Sequence, residues 1–269
     1  MNNPLASLAV AAMTAVTLLC FAGYQVTGDT AGPRLLGRLA ASLVELERWV
    51  PSHRDDIDLL ARDRLNENIV IDDLPIDIVV RSQDVLALGE NDPAMTALLR
   101  DAMGRRLYDE GRGALQGEAG ETHLGVTDPV RWAVTMLSAD MHSTWRLALI
   151  ASALVTALFA GSFLLSRQSP LGPMAAGAGV AAVVSFFAWL IAGGADSLVD
   201  SAVDKEIVMI FGDAAWLALR NSLAACAVLL ALLFLYRALV APRLREDEDE
   251  YYYWPELDDA QDSYPADSV

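Results

Sequence analysis

Residues 172–194 read GPMAAGAGVAAVVSFFAWLIAGG, without one charged side chain. As a helix rising 1.5 Å per residue, such a run is about 34 Å long, enough to cross the roughly 30 Å hydrocarbon core of a bilayer. Three more stretches share this character, at 4–24, 147–166 and 218–240, and none carries a charge in its middle. Four apolar runs of this length define the fold class expected here: an all-α membrane protein with four transmembrane helices. A mainly helical extracytoplasmic domain with a small β element lies between the first two.

The whole-chain numbers agree only if the apolar residues are gathered into such runs. Of 269 residues 54% are hydrophobic, yet Asp and Glu number 36 against 19 Lys and Arg, giving a formal net charge of -17. Residues 25–144 hold 21 of the acids and 12 Arg, and the tail from Glu246 onward holds 10 acids and no base. Nucleic acid is excluded as a partner, because phosphate-backbone binding needs clustered Lys and Arg. Lys205 is the one lysine beside 18 Arg, and Asp outnumbers Glu 24 to 12. That halophile-like composition suits a saline medium, where the Debye length falls to about 3 Å near 1 M salt and acidic surfaces repel one another less.

The organisation that follows has a first transmembrane helix at 1–24 and an extracytoplasmic domain at 25–144. A three-helix membrane segment at 145–241 carries an outside loop at 195–217, and an acidic disordered cytoplasmic tail occupies 242–269. The first run lacks Lys or Arg before its apolar stretch, which favours a retained helix over a cleaved signal peptide. Arg167, Arg237, Arg243 and Arg245 flank the ends expected in the cytoplasm, so both termini are placed inside and 25–144 outside. Tyr24, Trp145, Trp189 and Trp216 then all fall at the outer interface as an aromatic belt of anchors. In the third run Ala175/Gly179 and Gly177/Ala181 put small side chains four apart, the spacing that lets helices approach closely in lipid. Cys20 and Cys226 both sit inside apolar runs and read as small hydrophobes, not as a disulfide framework.

Within 25–144 the spacing of Leu35, Leu36, Leu39, Leu43 and Leu46 predicts a helix over 33–50, followed by a second over 52–66. Ile69 to Ile71 and Ile76 to Val80 are β-branched runs about a turn, and read as a hairpin. Asn91-Asp92-Pro93 and Thr127-Asp128-Pro129 each set a capping residue ahead of a first-turn proline. The helix from Pro129 has no breaker before Leu147, so it is expected to run straight into the second span. Five glycines between 111 and 125 mark a flexible loop.

Chemistry is sparse. No Walker A loop, dinucleotide fingerprint or nucleophile elbow occurs, no apolar run contains a histidine that could ligate haem, and no cofactor is implied. Metal-binding side-chain types occur at His53 and His123, each near acids, and at Asp196, Asp200 and Asp204, but without zinc-finger or metalloprotease spacing. The last three are four apart, which on a helix puts the carboxylates on one face, either a solvated face of an interfacial helix in a saline medium or one turned toward Arg105, Arg106 or Arg112 or a divalent cation. The expected function is a non-enzymatic interaction, scaffold or sensory subunit whose partners are the lipid bilayer and a second protein or a second copy. The competing class is a membrane-bound enzyme or transport-complex component whose site is assembled from distant residues.

Overall fold

The structure is a computed structural model and describes residues 4–72, 74, 76–115, 127–166 and 168–239. His123, most of the 111–125 loop and the acidic tail lie outside the described residues. Among the described residues four helices are long and apolar enough to cross a membrane: α1 (Pro4–Val26), α7 (Ala139–Leu165), α8 (Leu171–Ala195) and α9 (Ala202–Leu239). Between α1 and α7 lie α2 (Ala31–Leu43), α3 (Leu46–Asp63), β1 (Asn68–Ile71), β2 (Ile78–Arg81), α4 (Ser82–Ala87), α5 (Asp92–Glu110) and α6 (Asp128–Leu137). Mostly helical structure with one small sheet is the architecture expected from the apolar runs and caps.

The strands pair antiparallel with Ile69 opposite Val80 and Ile71 opposite Ile78. Those four side chains are buried while Val70 and Val79 are exposed, so the period of two in the sequence becomes one face on the core and one in solvent. Asn91 caps α5 as its residue type predicts, its side-chain oxygen accepting from the Ala94 amide at 3.1 Å. The same helix stops at Gly111, whose φ of 58° is left-handed and open to glycine at no steric cost. Gly111–Leu115 continues as a short 3-10 turn.

Close backbone approaches hold this domain together. A Cβ on Gly37 would lie 2.6 Å from the Arg100 carbonyl oxygen, and one on Gly104 would collide with the Pro33 carbonyl, so α2 and α5 cross with their backbones almost touching. Leu36 and Leu39 on α2 and Leu99, Met103 and Leu107 on α5 fill the space beside that crossing. Arg54 is buried, its Nε donating to Asp58 Oδ2 at 3.2 Å and its Nη2 to the Gly89 carbonyl while its Nη1 has no partner, which ties α3 to the turn after α4.

Four sequence expectations are corrected. The helix expected over 33–50 is broken at Val44–Glu45, where Glu45 adopts a left-handed φ of 46° and turns the chain so that Leu46 can enter the core. The helix from Pro129 does not run into the second span: Ser138 is extended, with φ −71° and ψ 163°, and separates α6 from α7. Of the loop expected over 195–217 only the part up to Ser201 is a connection, because α9 starts at Ala202 and continues without interruption through the fourth apolar run. Asp196, Asp200 and Asp204 consequently share no helix face: Asp196 lies in a 3-10 turn, Asp200 in the extended link after it and Asp204 in the first turn of α9.

Candidate functional site

The residues with the most connected polar chemistry lie along the seam where the domain meets the four long helices. The first node is Arg38 on α2. Its Nε lies 2.7 Å from Glu206 Oε1, off the N–H axis, so this contact is ionic and not a directed hydrogen bond. Its Nη1 donates to Asp213 Oδ2 at 3.1 Å. Glu206 and Asp213 are seven apart on α9, hence on one face two turns apart, and a single guanidinium fork spans both. Arg38 also stands between two open grooves, one walled by Trp189, Asp196 and Trp216, the other by Glu45, Arg48 and Arg100.

Thr27, just past the end of α1, is the second node and is buried. Its hydroxyl donates to the Gly23 carbonyl at 2.8 Å and lies 3.2 Å from His142 Nδ1, which satisfies both groups if Nδ1 carries the proton. The His142 ring stacks on Tyr24 with centroids 4.6 Å apart. The Thr27 carbonyl accepts from the Tyr108 hydroxyl at 2.9 Å, and Asp29 Oδ1 lies 3.0 Å from the same hydroxyl. Burial, and then the hydrogen bond to and charge of Asp29, push the Tyr108 pKa up to about 12. Tyr108 belongs to α5, so one chain of contacts runs from the domain core through the end of α1 to α7. Asn221 adds a third link, donating to Gln25 Oε1 at 2.6 Å between α9 and α1.

The aromatic residues expected as anchors converge at this end of the bundle. The Trp145 ring lies against Gly23, where an added Cβ would be 2.5 Å away, and the Trp189 and Trp216 rings are 5.7 Å apart. The small residues of α8 divide. Ala175, Gly177 and Ala181 are buried, and a Cβ on Gly177 would collide with the Ala11 carbonyl of α1, whereas one on Gly179 would meet nothing within 4 Å. Cys226 approaches the Ala175 carbonyl at 3.7 Å, which seats α9 on the same stripe.

The metal-binding side-chain types are not brought together. His53 stacks on Trp49 and bonds Ser52 within α3, and among the described residues no three His, Cys, Asp or Glu side chains are placed to hold a metal. Arg106 pairs with Glu110 and the Asp77 carbonyl, and Arg112 with Thr135, so neither reaches Asp196, Asp200 or Asp204. Sequence reasoning singled out neither Arg38 nor Tyr108. The visible signal was Arg34 and Arg38 four apart within the otherwise uncharged 31–43 stretch. The chain matches no family model, no curated protein and no solved structure.

Proposed function

We propose that the chain is an integral membrane subunit of the interaction, scaffold or sensory kind, with residues 25–144 outside and both termini in the cytoplasm, and that α9 carries the state of the domain into the bundle. The observation that carries this reading is that α9 belongs to both parts. Ile207 and Ile210, near its start, are buried in the same hydrophobic core as Leu36, Leu99 and Met103. Its second half, from Leu223 to Tyr236, is free of charge and belongs to the apolar run. A helix of 38 residues is about 57 Å long, nearly twice the hydrocarbon thickness, so one rigid rod reaches from the domain core across the membrane. Displacement of the domain by a bound partner therefore moves the bundle with it.

Mild extraction of the full chain from native membranes, followed by mass spectrometry of what co-purifies, tests the function. A protein partner, or a second copy, at fixed stoichiometry is the expected result, with its retention changed by Arg38→Ala. A metal or redox cofactor retained by the purified chain, with no protein partner, would overturn it in favour of an enzyme or transport component. Topology is tested separately with single cysteines at positions 120 and 262 in a Cys-free background. An impermeant reagent on intact cells should label only position 120.

A further inference from the structure

Beneath α6, where the domain rests on the bundle, lies a cavity of about 260 Å³. Three local features make it. The extended Ser138 swings α6 away from the axis of α7 and opens a wedge between them. Gly23 lets the Trp145 ring lie directly on the backbone of α1 as one wall. Trp132 of α6 stacks on Phe211 of α9 with centroids 5.0 Å apart, and the pair closes another side. Ala214 of α9 and Met136 of α6 complete the lining used here.

The wall dictates the chemistry of an occupant. Thr27 is the hydroxyl-bearing residue in it, and that hydroxyl is already engaged by the Gly23 carbonyl and His142. A polar ligand would surrender its water hydrogen bonds and find no replacement. The pocket is open on one side, so without an occupant its apolar lining would face solvent, which is unfavourable in proportion to the apolar area exposed. Trp145 in its wall, and Tyr24 next to Gly23, are the residue types that settle at the headgroup boundary, where the abundant apolar matter is the lipid chain itself.

We propose that this cavity binds one hydrocarbon chain of a bilayer lipid and that the bound chain holds α6 against the bundle. The proposal rests on the reading of α1 and α7 as membrane spans with the domain above them. Lipid occupancy then becomes part of the seam: a chain between Trp132 and Trp145 completes the packing that joins the domain to α1, α7 and α9.

The test uses the full chain in nanodiscs, with Trp49, Trp189, Trp216 and Trp254 replaced by Phe so that the two emitters left, Trp132 and Trp145, are both walls of the cavity. Phospholipid brominated on its acyl chain should quench their emission relative to the unbrominated lipid, and Ala214→Phe, which fills the cavity, should remove most of the quenching. Val26→Phe fills the same space from α1 and serves where the first variant does not fold. Native mass spectrometry of the wild-type chain should show one retained phospholipid that both variants lose. Absence of quenching together with absence of retained lipid overturns the proposal, as does quenching that persists unchanged in the filled variants, which would report bulk bilayer. Quenching by added brominated fatty acid but not by brominated phospholipid overturns the bilayer source. Failure of the chain to enter nanodiscs at all would instead sink the membrane reading beneath it.

Discussion

At the scale of single residues, the small side chains of α8 are unequal although the sequence presents them as one stripe. Spacing identifies which positions are small, but not which of them a neighbouring backbone occupies. Gly177 has the Ala11 carbonyl where its Cβ would be and Gly179 has open space. Gly177→Ala should therefore lower stability by about 1–3 kcal/mol through overpacking, while Gly179→Ala should raise it by about 0.5–1 kcal/mol through reduced backbone entropy. Thermal midpoints of the two variants in the same detergent check the opposite signs. Tyr108 supplies a second residue-scale prediction. Its folded pKa of about 12 exceeds the ordinary value of 10.0, so the folded state holds the phenolic proton more tightly than the unfolded chain does. The stability this represents is fully present below pH 10 and is lost as pH rises through 12. Tyr108→Phe should lower stability at neutral pH by about 1–3 kcal/mol, since Thr27 and Asp29 lose a buried donor, and should remove that alkaline slope. Denaturation midpoints between pH 8 and pH 12 read both effects.

Among the elements, caps and alternation were legible because they are local: Asn91 with its proline and β-branched alternation at 69–71 and 78–80 each carry their own geometry. The breaks at Glu45 and Ser138 were not legible, because neither residue type forces its conformation. Tertiary packing imposes both, drawing Leu46 and Leu137 into the core. The seam between α2 and α9 was illegible for a related reason, since Arg38 and Glu206 are 168 positions apart in sequence. Glu206 is only 12% exposed at its side chain, and Arg38 is the cation that faces it there. Arg38→Ala should destabilise the full chain by about 1–3 kcal/mol, below the 3–5 kcal/mol typical of a fully buried broken pair because Arg38 itself is one-third exposed. Glu206→Gln should cost less, since it removes the buried charge together with its partner's attraction. The exchange of Arg38→Glu with Glu206→Arg should recover part of the loss, although Asp213 then faces a like charge. Double-mutant analysis of unfolding midpoints gives the coupling directly, and additive single effects would show that the two helices are held by packing alone.

For the whole molecule, the sequence divides the chain into a domain and a bundle, but the core ignores that division. Ile207 and Ile210 of α9 are 8% and 3% exposed inside the core of 25–144, each worth about 1.5–3 kcal/mol of burial. A fragment ending at 144 lacks both, so salt adaptation has to be measured on the full chain. The net charge of -17 repels over distances that salt screens, whereas Arg38–Glu206 at 2.7 Å and Arg54–Asp58 at 3.2 Å are partly buried and are screened much less. Screening should therefore remove more repulsion than attraction. The thermal midpoint of the full chain in nanodiscs should rise as sodium chloride approaches molar concentration. Chloride is the right anion, because sulfate would strengthen apolar burial in any protein. Asp55, Asp56 and Asp63 lie exposed on α3, and changing all three to Asn should raise the low-salt midpoint and flatten its dependence on salt. A midpoint that stays level or falls with salt in the wild-type chain would mean that the acids are already compensated at low ionic strength, and the halophile-like reading of the composition would go with it.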